Sequence, residues 1–294
     1  MNRPPYCLEL ESTVPDGPPT YRFRTADGVC SKDSFRTPEL LLLEHVWGTD
    51  PGDVLSVEAN YGVVGTVLSS AADSVRMTES SARATRLCEL NARENDAAAT
   101  VSLATGFSTS EGKFDTVTYA PKPFTPVEIG NARLRRGLSQ LRPDGRLYLA
   151  ASKRSGLSRY ETCLRETGAA VDRVASGGEY RLLEATPTTA SRESTPRSPV
   201  ESRTLRPTVD GIDLSLVTVP GVFSASELDE GTRLLLESAT VTDGDRTLDL
   251  CCGYGAAGAY AARTADCEVW LSDDDRVATL CAGRSLRASG VDGT

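Results

Sequence analysis

A strand, a turn and a helix follow one another in the hydrophobic pattern towards the C-terminal end of the chain. Residues 247–250 predict a buried strand, and the small apolar residues 256–262 predict a closely packed helix. The turn between them carries Gly253 and Gly255. Glycine lets a ligand approach the backbone more closely than any Cβ allows, and the start of a helix offers unpaired N–H groups. The pattern therefore predicts a ligand site here, although many such turns carry glycine for packing alone.

A second apolar run, residues 269–271, follows about one strand–helix unit later and ends in an acidic tip. This tip is Ser272-Asp273-Asp274-Asp275. A carboxylate at the end of the second parallel strand can accept hydrogen bonds from a ribose diol. Turn and tip together predict a nucleoside cofactor at the carboxyl edge of a parallel sheet.

The chain also contains an internal copy of this pattern. Matching residues differ by 193 in number, from the leucine-rich helix through the strand to the turn: Leu41-Leu42-Leu43-Glu44 with Leu234-Leu235-Leu236-Glu237, Leu55 with Leu248, Tyr61-Gly62 with Tyr254-Gly255, and Gly65 with Gly258. With one inserted residue, Glu79 matches Asp273. A period this long indicates a duplicated domain rather than a solenoid.

The first copy lacks the aspartate and the first glycine that mark the second copy. Ser56, Glu58 and Asn60 stand at the positions of Asp249, Cys251 and Gly253. A glutamate in the turn would place bulk and charge where a cofactor should lie. Residues 54–65 therefore predict a strand, turn and helix that bind no cofactor.

Further elements are predicted on either side of the turns. In the first copy we expect strands over residues 116–119, 146–150 and 180–185 and helices over 126–141 and 159–167, with a short edge strand at 6–10. In the second copy a further strand is expected over 214–217. Residues 186–207 are rich in proline, small polar residues and mixed charge, which predicts a mobile linker.

The residues before the second turn carry a family resemblance. Pro220-Gly221-Val222-Phe223-Ser224 and Leu228-Asp229-Glu230-Gly231-Thr232, with the run from Leu248 to Gly255, closely resemble class I methyltransferases. The best match is the small-subunit ribosomal RNA guanine-N2 methyltransferase family, whose members use S-adenosylmethionine and often contain two tandem methyltransferase-like domains, the first degenerate. The resemblance implies an α/β fold of two tandem Rossmann-like domains with mostly parallel sheets, the second incomplete.

The resemblance also assigns roles to residues of the second copy. It implies that Asp249, Gly253 and Gly255 line the methionine end of the cofactor and that Asp273 holds its ribose. It further implies that Gly231 and Thr232 lie near the cofactor carboxylate. One position departs from the family, which usually has glycine where this chain has Cys251, and a Cβ there would crowd the cofactor.

The family's catalytic motif is absent from the printed sequence. Active domains carry Asn-Pro-Pro-aromatic at the end of a later strand, where the amide and a proline carbonyl pair with the target amino group. The first copy has Tyr119-Ala120-Pro121-Lys122 there, without the amide. In the second copy the motif would lie past Thr294, so we predict no catalytic residue. The predicted domains are a degenerate methyltransferase-like domain at 1–185, the linker at 186–207 and the N-terminal part of a cofactor-binding domain at 208–294.

Charge is unevenly distributed along the chain. The net charge of −9 resides wholly in residues 208–294, and lysine is rare compared with arginine. This composition is typical of a salt-rich cytoplasm, or of codon bias in a GC-rich genome. If RNA binds, arginine should contact it; the candidates are Arg133, Arg135, Arg136, Arg142, Lys153, Arg154 and Arg159. We prefer the alternative that residues 133–136 form one solvated helix face.

Eight cysteines and one histidine give no sign of a metal site. The cysteines include no Cys-x-x-Cys pair, and His45 lies in the leucine-rich helix. Zinc needs paired ligands at short spacing, so no metal is expected. The sequence has no signal peptide and no long apolar run, and we expect a cytoplasmic protein with reduced thiols that does not enter a membrane.

Three functions compete at this point. The first is a methyltransferase that uses S-adenosylmethionine on the exocyclic amine of guanine in ribosomal RNA, with the ribosomal RNA or the small ribosomal subunit as partner. The second is a non-catalytic RNA- or ribosome-binding protein, or a gene fragment, derived from such an enzyme. The third, a nucleotide-dependent dehydrogenase, is disfavoured because the segments around Phe223 and Asp229 have no role in a dinucleotide fingerprint.

Overall fold

A computed structural model describes residues 6–12, 17–105, 113–188 and 200–293. The chain divides into two compact units, Met1–Arg197 (unit 1) and Ser198–Thr294 (unit 2). We describe each unit by itself. Among the described residues, no helix is both long enough and apolar enough to span a membrane.

Unit 1 is a single mixed sheet with helices on both faces and a small hairpin beside it. Its elements in chain order are β1 (Tyr6–Glu11), β2 (Thr20–Thr25), α1 (Thr37–Val46), β3 (Asp53–Val57), α2 (Val63–Leu68), β4 (Ser74–Glu79), α3 (Ala82–Glu94), β5 (Ala99–Leu103), β6 (Phe114–Tyr119), α4 (Val127–Ser139), β7 (Leu141–Ser152), α5 (Leu157–Glu166), β8 (Ala170–Gly177) and β9 (Tyr180–Thr186). β1 and β2 form the antiparallel hairpin.

The seven-stranded sheet of unit 1 has the order β5-β4-β3-β6-β7-β9-β8. The strands from β5 to β7 are parallel, and β9 is antiparallel to both of its neighbours. β3 lies near the middle, and its alternate residues enter different cores: Val54 faces one hydrophobic cluster, while Leu55 and Val57 face the other. Parallel strands covered on both faces are expected to be apolar throughout, which explains the nearly continuous burial of β3.

Unit 2 is built around one parallel strand pair. Its elements are β10 (Arg203–Leu205), β11 (Thr208–Val209), β12 (Ile212–Asp213), β13 (Leu216–Thr218), α6 (Glu230–Ser238), β14 (Arg246–Leu250), α7 (Ala256–Thr264), β15 (Glu268–Ser272) and α8 (Arg276–Ala288). β14 and β15 are parallel, whereas β10 pairs with β13 and β11 pairs with β12 in antiparallel fashion. Within the described residues β15 is the one strand that pairs with β14.

The α/β fold with a large, mostly parallel sheet is as predicted. Most of the strands and helices whose positions the sequence predicts lie within a few residues of those positions. Two expectations need correction. The linker expected at 186–207 includes an ordered strand, because Arg203–Leu205 pairs with β13. The single strand expected at 214–217 is replaced by the short strands Ile212–Asp213 and Leu216–Thr218. Residues 189–199 of that linker lie outside the described residues.

Candidate functional site

The turn between β14 and α7 has a backbone that favours glycine at three alternate positions. The φ angles are +60° at Cys251, +54° at Gly253 and +80° at Gly255. The turn is closed by a hydrogen bond of 2.7 Å from the Gly255 N–H to the Cys252 carbonyl. Another, of 3.0 Å, joins the Cys252 N–H to the Ser272 carbonyl at the end of β15. The turn is therefore fixed against the second strand.

The two glycines of this turn serve different purposes. A Cβ at Gly253 would meet no atom within 4 Å, so this backbone faces open space that a ligand can enter. A Cβ at Gly255 would lie 2.9 Å from the Cα and Cβ atoms of Ala282 on α8. The expectation that both glycines admit a ligand is thus incomplete, since Gly255 also permits close packing of the turn against a helix.

Asp273 ties the acidic tip to the turn. Its Oδ2 atom accepts a hydrogen bond of 2.9 Å from the Gly253 N–H, and its Oδ1 atom accepts one of 2.9 Å from the Asp275 N–H. Asp275 in turn caps α8 by accepting from the Val277 N–H at 2.8 Å. The predicted ribose acceptor and the open glycine are therefore direct neighbours.

Asp249 lies at the other side of the turn and holds the start of α7. Its Oδ2 atom accepts a hydrogen bond of 2.9 Å from the Gly258 N–H. Burial raises the pKa of Asp249, and this effect is only partly offset by that hydrogen bond. The side chain is half-buried at the end of a strand and keeps one carboxylate oxygen for other partners.

Gly231 and Thr232 lie in the first turn of α6. Asp229 caps this helix by accepting from the Thr232 N–H at 3.0 Å. Hydrogen bonds from the Thr232 side chain and, next, from its N–H lower the pKa of Asp229. The Tyr254 hydroxyl donates to the Glu227 carbonyl at 3.2 Å, which holds the segment before α6 against the glycine turn. The structure thus places the beginning of α6 beside the turn.

The turn of unit 1 has the same backbone. The φ angles are +53° at Glu58, +59° at Asn60 and +88° at Gly62, and the Gly62 N–H donates to the Ala59 carbonyl at 2.7 Å. The Asn60 N–H donates to Glu79 Oε2 at 2.8 Å, as the Gly253 N–H does to Asp273. The two turns therefore match in conformation and in their bond to the acidic residue.

Four buried charges fill the turn of unit 1. Glu58 pairs with Arg133 at 2.8 Å and with Lys122 at 3.5 Å, and Lys122 pairs with Glu79 at 2.7 Å. A cavity beside Glu58 measures ≈ 10 Å³, about the smallest that can hold one water molecule. We call these four residues the ion cluster; their side chains occupy the space beside the turn.

The ion cluster shifts the pKa values of its own carboxyl groups in opposite directions. Burial would raise the pKa of Glu58, but the charges of Arg133 and Lys122 outweigh it and lower that pKa. Burial and the neighbouring charge of Glu58 raise the pKa of Glu79 to about 7. The ion cluster thus contains one carboxyl group whose pKa lies near neutral pH.

Sequence reasoning identified Glu58 as an obstacle but not its partners. Lys122 stands where the catalytic motif was sought, and Arg133 was considered either as an RNA contact or as part of a solvated helix face. Arg133 is 8% exposed and engaged with Glu58, so its assignment as a surface contact for RNA is wrong, as is the idea of one solvated helix face. Arg142 is paired with Asp53 and Asp115.

Comparisons with known proteins identify a family for this chain. The methyltransferase small domain family matches residues 20–184 and 213–294. Ribosomal RNA small subunit methyltransferase C of Stutzerimonas stutzeri (strain A1501) is 32% identical over 200 residues, which cover 64% of this chain and 55% of that protein. The protein of the same name from Hahella chejuensis (strain KCTC 2396) is 45% identical over 80 residues, 27% of this chain and 23% of the relative.

A solved structure has a similar fold over almost the whole chain. It is the T. Thermophilus 16S rRNA N2 G1207 methyltransferase (RsmC) in complex with AdoMet and guanosine. The TM-score is 0.79 at 25% identity, and the match covers 98% of this chain and 74% of that chain. The chain spans about half the length of the curated relatives that it matches over longer stretches, 52% and 55% in two cases.

Proposed function

The chain belongs to the methyltransferase small domain family, and we propose that it serves as an S-adenosylmethionine-dependent methyltransferase that acts on the exocyclic amine of guanine in small-subunit ribosomal RNA. The observation that carries the proposal is the open backbone at Gly253, held beside the carboxylate of Asp273. The similar solved structure, which contains AdoMet and guanosine, supports both the cofactor and the base.

The residues of unit 2 suit two parts of this cofactor. Asp273 receives one backbone N–H on each oxygen, and an ionised carboxylate has about four acceptor sites, so it can also accept from ribose hydroxyls. The placement of Gly231 and Thr232 near the cofactor carboxylate stays a prediction of the resemblance, because the Thr232 N–H already donates to Asp229. Asp249 has an oxygen for an ammonium group. When bound, the cofactor supplies an electrophilic methyl group for the amine.

We further infer that the two units are tandem methyltransferase-like domains and that unit 1 has no cofactor site. The shared φ pattern and the matching hydrogen bonds of the two turns support a common origin. The ion cluster supports the loss of binding in unit 1, because Lys122 and Glu58 take the space beside the turn. Five strands of unit 1 run parallel, whereas the described part of unit 2 has one parallel pair, which supports an incomplete second domain.

Calorimetric titration of the full chain with S-adenosylmethionine, in dilute buffer and in molar KCl, tests the proposal. We expect micromolar binding that Asp273→Ala abolishes and that Glu79→Ala leaves unchanged within about twofold. These two carboxylates occupy matching positions, so the pair controls for the loss of an acidic residue. No binding in either salt, or equal losses from both variants, would sink the proposal.

The filled turn of unit 1 favours a second candidate function, which is non-catalytic binding of RNA or the ribosome. Transfer of a labelled methyl group from the cofactor to small-subunit ribosomal RNA separates the two candidates. Incorporation that depends on Asp273 supports methyl transfer. RNA binding without any incorporation would favour the non-catalytic function.

A further inference from the structure

One face of the sheet in unit 1 carries a cleft that the proposed methyl transfer does not use. It lies between α4 and strands β3, β4 and β5 and has a volume of ≈ 250 Å³. Its floor is a row of side chains from the three strands, because Leu55 pairs in register with Arg76, while Val57 pairs with Thr78 and Thr78 with Ser102. We call it the arginine cleft.

Three arginines line this cleft, and none of its described lining residues is acidic. Arg76 comes from β4, and Arg133 and Arg136 come from α4. The Nε atoms of Arg133 and Arg136 are buried without a hydrogen-bond partner among the described residues. Arg133 is already engaged, through Nη2 with Glu58 and through Nη1 with the Tyr119 hydroxyl at 3.5 Å, so Arg136 is the arginine on which the proposal depends.

The floor of the arginine cleft is apolar. Leu55 and Val57 lie there, and Leu103 stands at its edge with 42% of its surface exposed. Ser102 and Thr78 add hydroxyl groups, and Gln140 adds an amide at the end of α4. The cleft thus combines an apolar surface with guanidinium groups. This pairing suits a ligand that has both a flat ring and a phosphate.

We propose that the arginine cleft binds a single phosphorylated nucleotide. Arg136 would bind the phosphate, because a guanidinium group matches phosphate oxygens through two parallel hydrogen bonds. Arg76, whose guanidinium lies over the Phe114 ring at 5.5 Å, would add positive charge. The base would lie on Leu103, the exposed apolar side chain of the cleft. The volume is slightly below the usual range of about 300–1,000 Å³ for small-molecule sites, which suits one nucleotide and not a longer segment.

The nucleotide can belong to an RNA strand or be free in solution, since both present the same phosphate and base. The inference rests on the proposed function only in expecting RNA as the source. It needs neither the cofactor nor any residue of unit 2, so the two proposals can fail separately.

Fluorescence anisotropy of a short labelled single-stranded RNA, titrated with the full chain, tests the cleft. Arg136→Ala should weaken binding about tenfold, as expected for the loss of a charged hydrogen bond. It should also reduce the slope of log affinity against log salt by about 0.7 to 1. The matched control is Arg135→Ala, the next residue on the same helix but outside the cleft lining, which should stay within about twofold.

Competition identifies the source of the nucleotide. Displacement of the RNA by 5′-GMP, sensitive to Arg136, supports a free nucleotide, whereas displacement only by unlabelled RNA supports a strand. The proposal is overturned if guanosine or inorganic phosphate competes as well as 5′-GMP, or if both arginine variants lose equal affinity. Titration of Arg136→Ala with S-adenosylmethionine, expected to match the wild type, keeps this test separate from the proposed cofactor site.

Discussion

Leu55 on β3 and Leu248 on β14 hold matching positions in two strands that lead into the same turn, yet their surroundings differ. Leu55 is 2% exposed and Leu248 is 60% exposed. Two residues further, Val57 is buried in unit 1, while the matching Leu250 is 70% exposed. In unit 1 these side chains pack against β6 and the helices beyond it. Among the described residues of unit 2, no strand pairs with that edge of β14.

The turns themselves differ in the opposite sense. The turn of unit 1 is filled by the ion cluster, whereas the turn of unit 2 leaves Gly253 in open space. Both keep three positive φ angles and the same bond to an acidic residue. The backbone conformation of the turn is therefore set by local residues. The side chains that fill the turn in unit 1 come from elements later in the chain.

The largest effect is expected when the ion cluster loses a positive charge. Lys122→Met leaves Glu79 and Glu58 with one fewer partner in a buried site. We expect the free energy of unfolding of unit 1 to fall by about 4 kcal/mol. Each unit has one tryptophan, so the emission of Trp47 in a Trp270→Phe background reports on unit 1 during urea unfolding.

Lys153→Met is the control for this change, because Lys153 is an exposed lysine of the same unit. It should alter the free energy of unfolding by less than about 0.5 kcal/mol. Similar losses from the two lysine variants would mean that the ion cluster does not stabilise the filled turn.

Truncation of the matching leucines should separate the two strands. Leu55→Ala removes buried surface and should cost about 3 kcal/mol in unit 1. Leu248→Ala should cost less than about 0.5 kcal/mol in unit 2, since its side chain is already exposed. Trp270 emission in a Trp47→Phe background follows unit 2. A cost for Leu248→Ala as large as that for Leu55→Ala would show that β14 is covered in solution.

A third difference should appear in the pH dependence of unit 1. The pKa of Glu79 is raised from 4.5 to about 7, so the folded state binds this proton more tightly than the unfolded state does. The stabilisation is complete below about pH 4.5 and is lost as the pH rises through 7. The slope is at most about 1.4 kcal/mol per pH unit.

Unfolding of the wild type and of Glu79→Gln between pH 5 and pH 8 measures this contribution. The advantage of the wild type over the glutamine variant should shrink as the pH rises. A constant difference across the range would assign the titration to another group.

The smallest effect is expected at Cys251, the first positive φ angle of the turn in unit 2. Cys251→Gly relieves a conformation that costs a side chain roughly 1 kcal/mol, and should stabilise unit 2 by that amount. It should also strengthen binding of S-adenosylmethionine, because the Cβ atom is removed. Glu58→Gly, at the matching position, should instead destabilise unit 1, since Arg133 loses its partner. Gains in both units would show that backbone strain dominates in each turn.

Local features of the fold could be predicted from the sequence because they depend on neighbouring residues. The strand, turn and helix around Gly253 follow from apolar spacing and glycine, and the structure has them at Arg246–Leu250 and Ala256–Thr264. β8 was not predicted, because Ala170–Gly177 alternates poorly and half of it is polar. β10 was hidden in a proline-rich segment, and only its partner β13 defines it.

The contents of the sites could be predicted only in part. The charge at Glu58 was visible in the sequence, but Lys122 and Arg133 reach it from later elements that only the folded sheet brings together. The arginine cleft has the same origin, since Arg76 and Arg136 lie on separate elements. The roles assigned to Asp249, Gly231 and Thr232 stay predictions, now with defined positions around the turn.

The ion cluster also constrains how unit 1 could change by mutation. An open turn like that of unit 2 would require a smaller residue at 58, glycine at 60 and the removal of both Lys122 and Arg133. Each single step leaves a buried charge with fewer partners, at a cost of several kcal/mol, a large share of the stability of a typical domain. The substitutions are therefore strongly epistatic, and every ordered path between the filled and the open turn crosses a poorly folded intermediate. The ion cluster therefore disfavours any stepwise evolutionary return of unit 1 to an open turn.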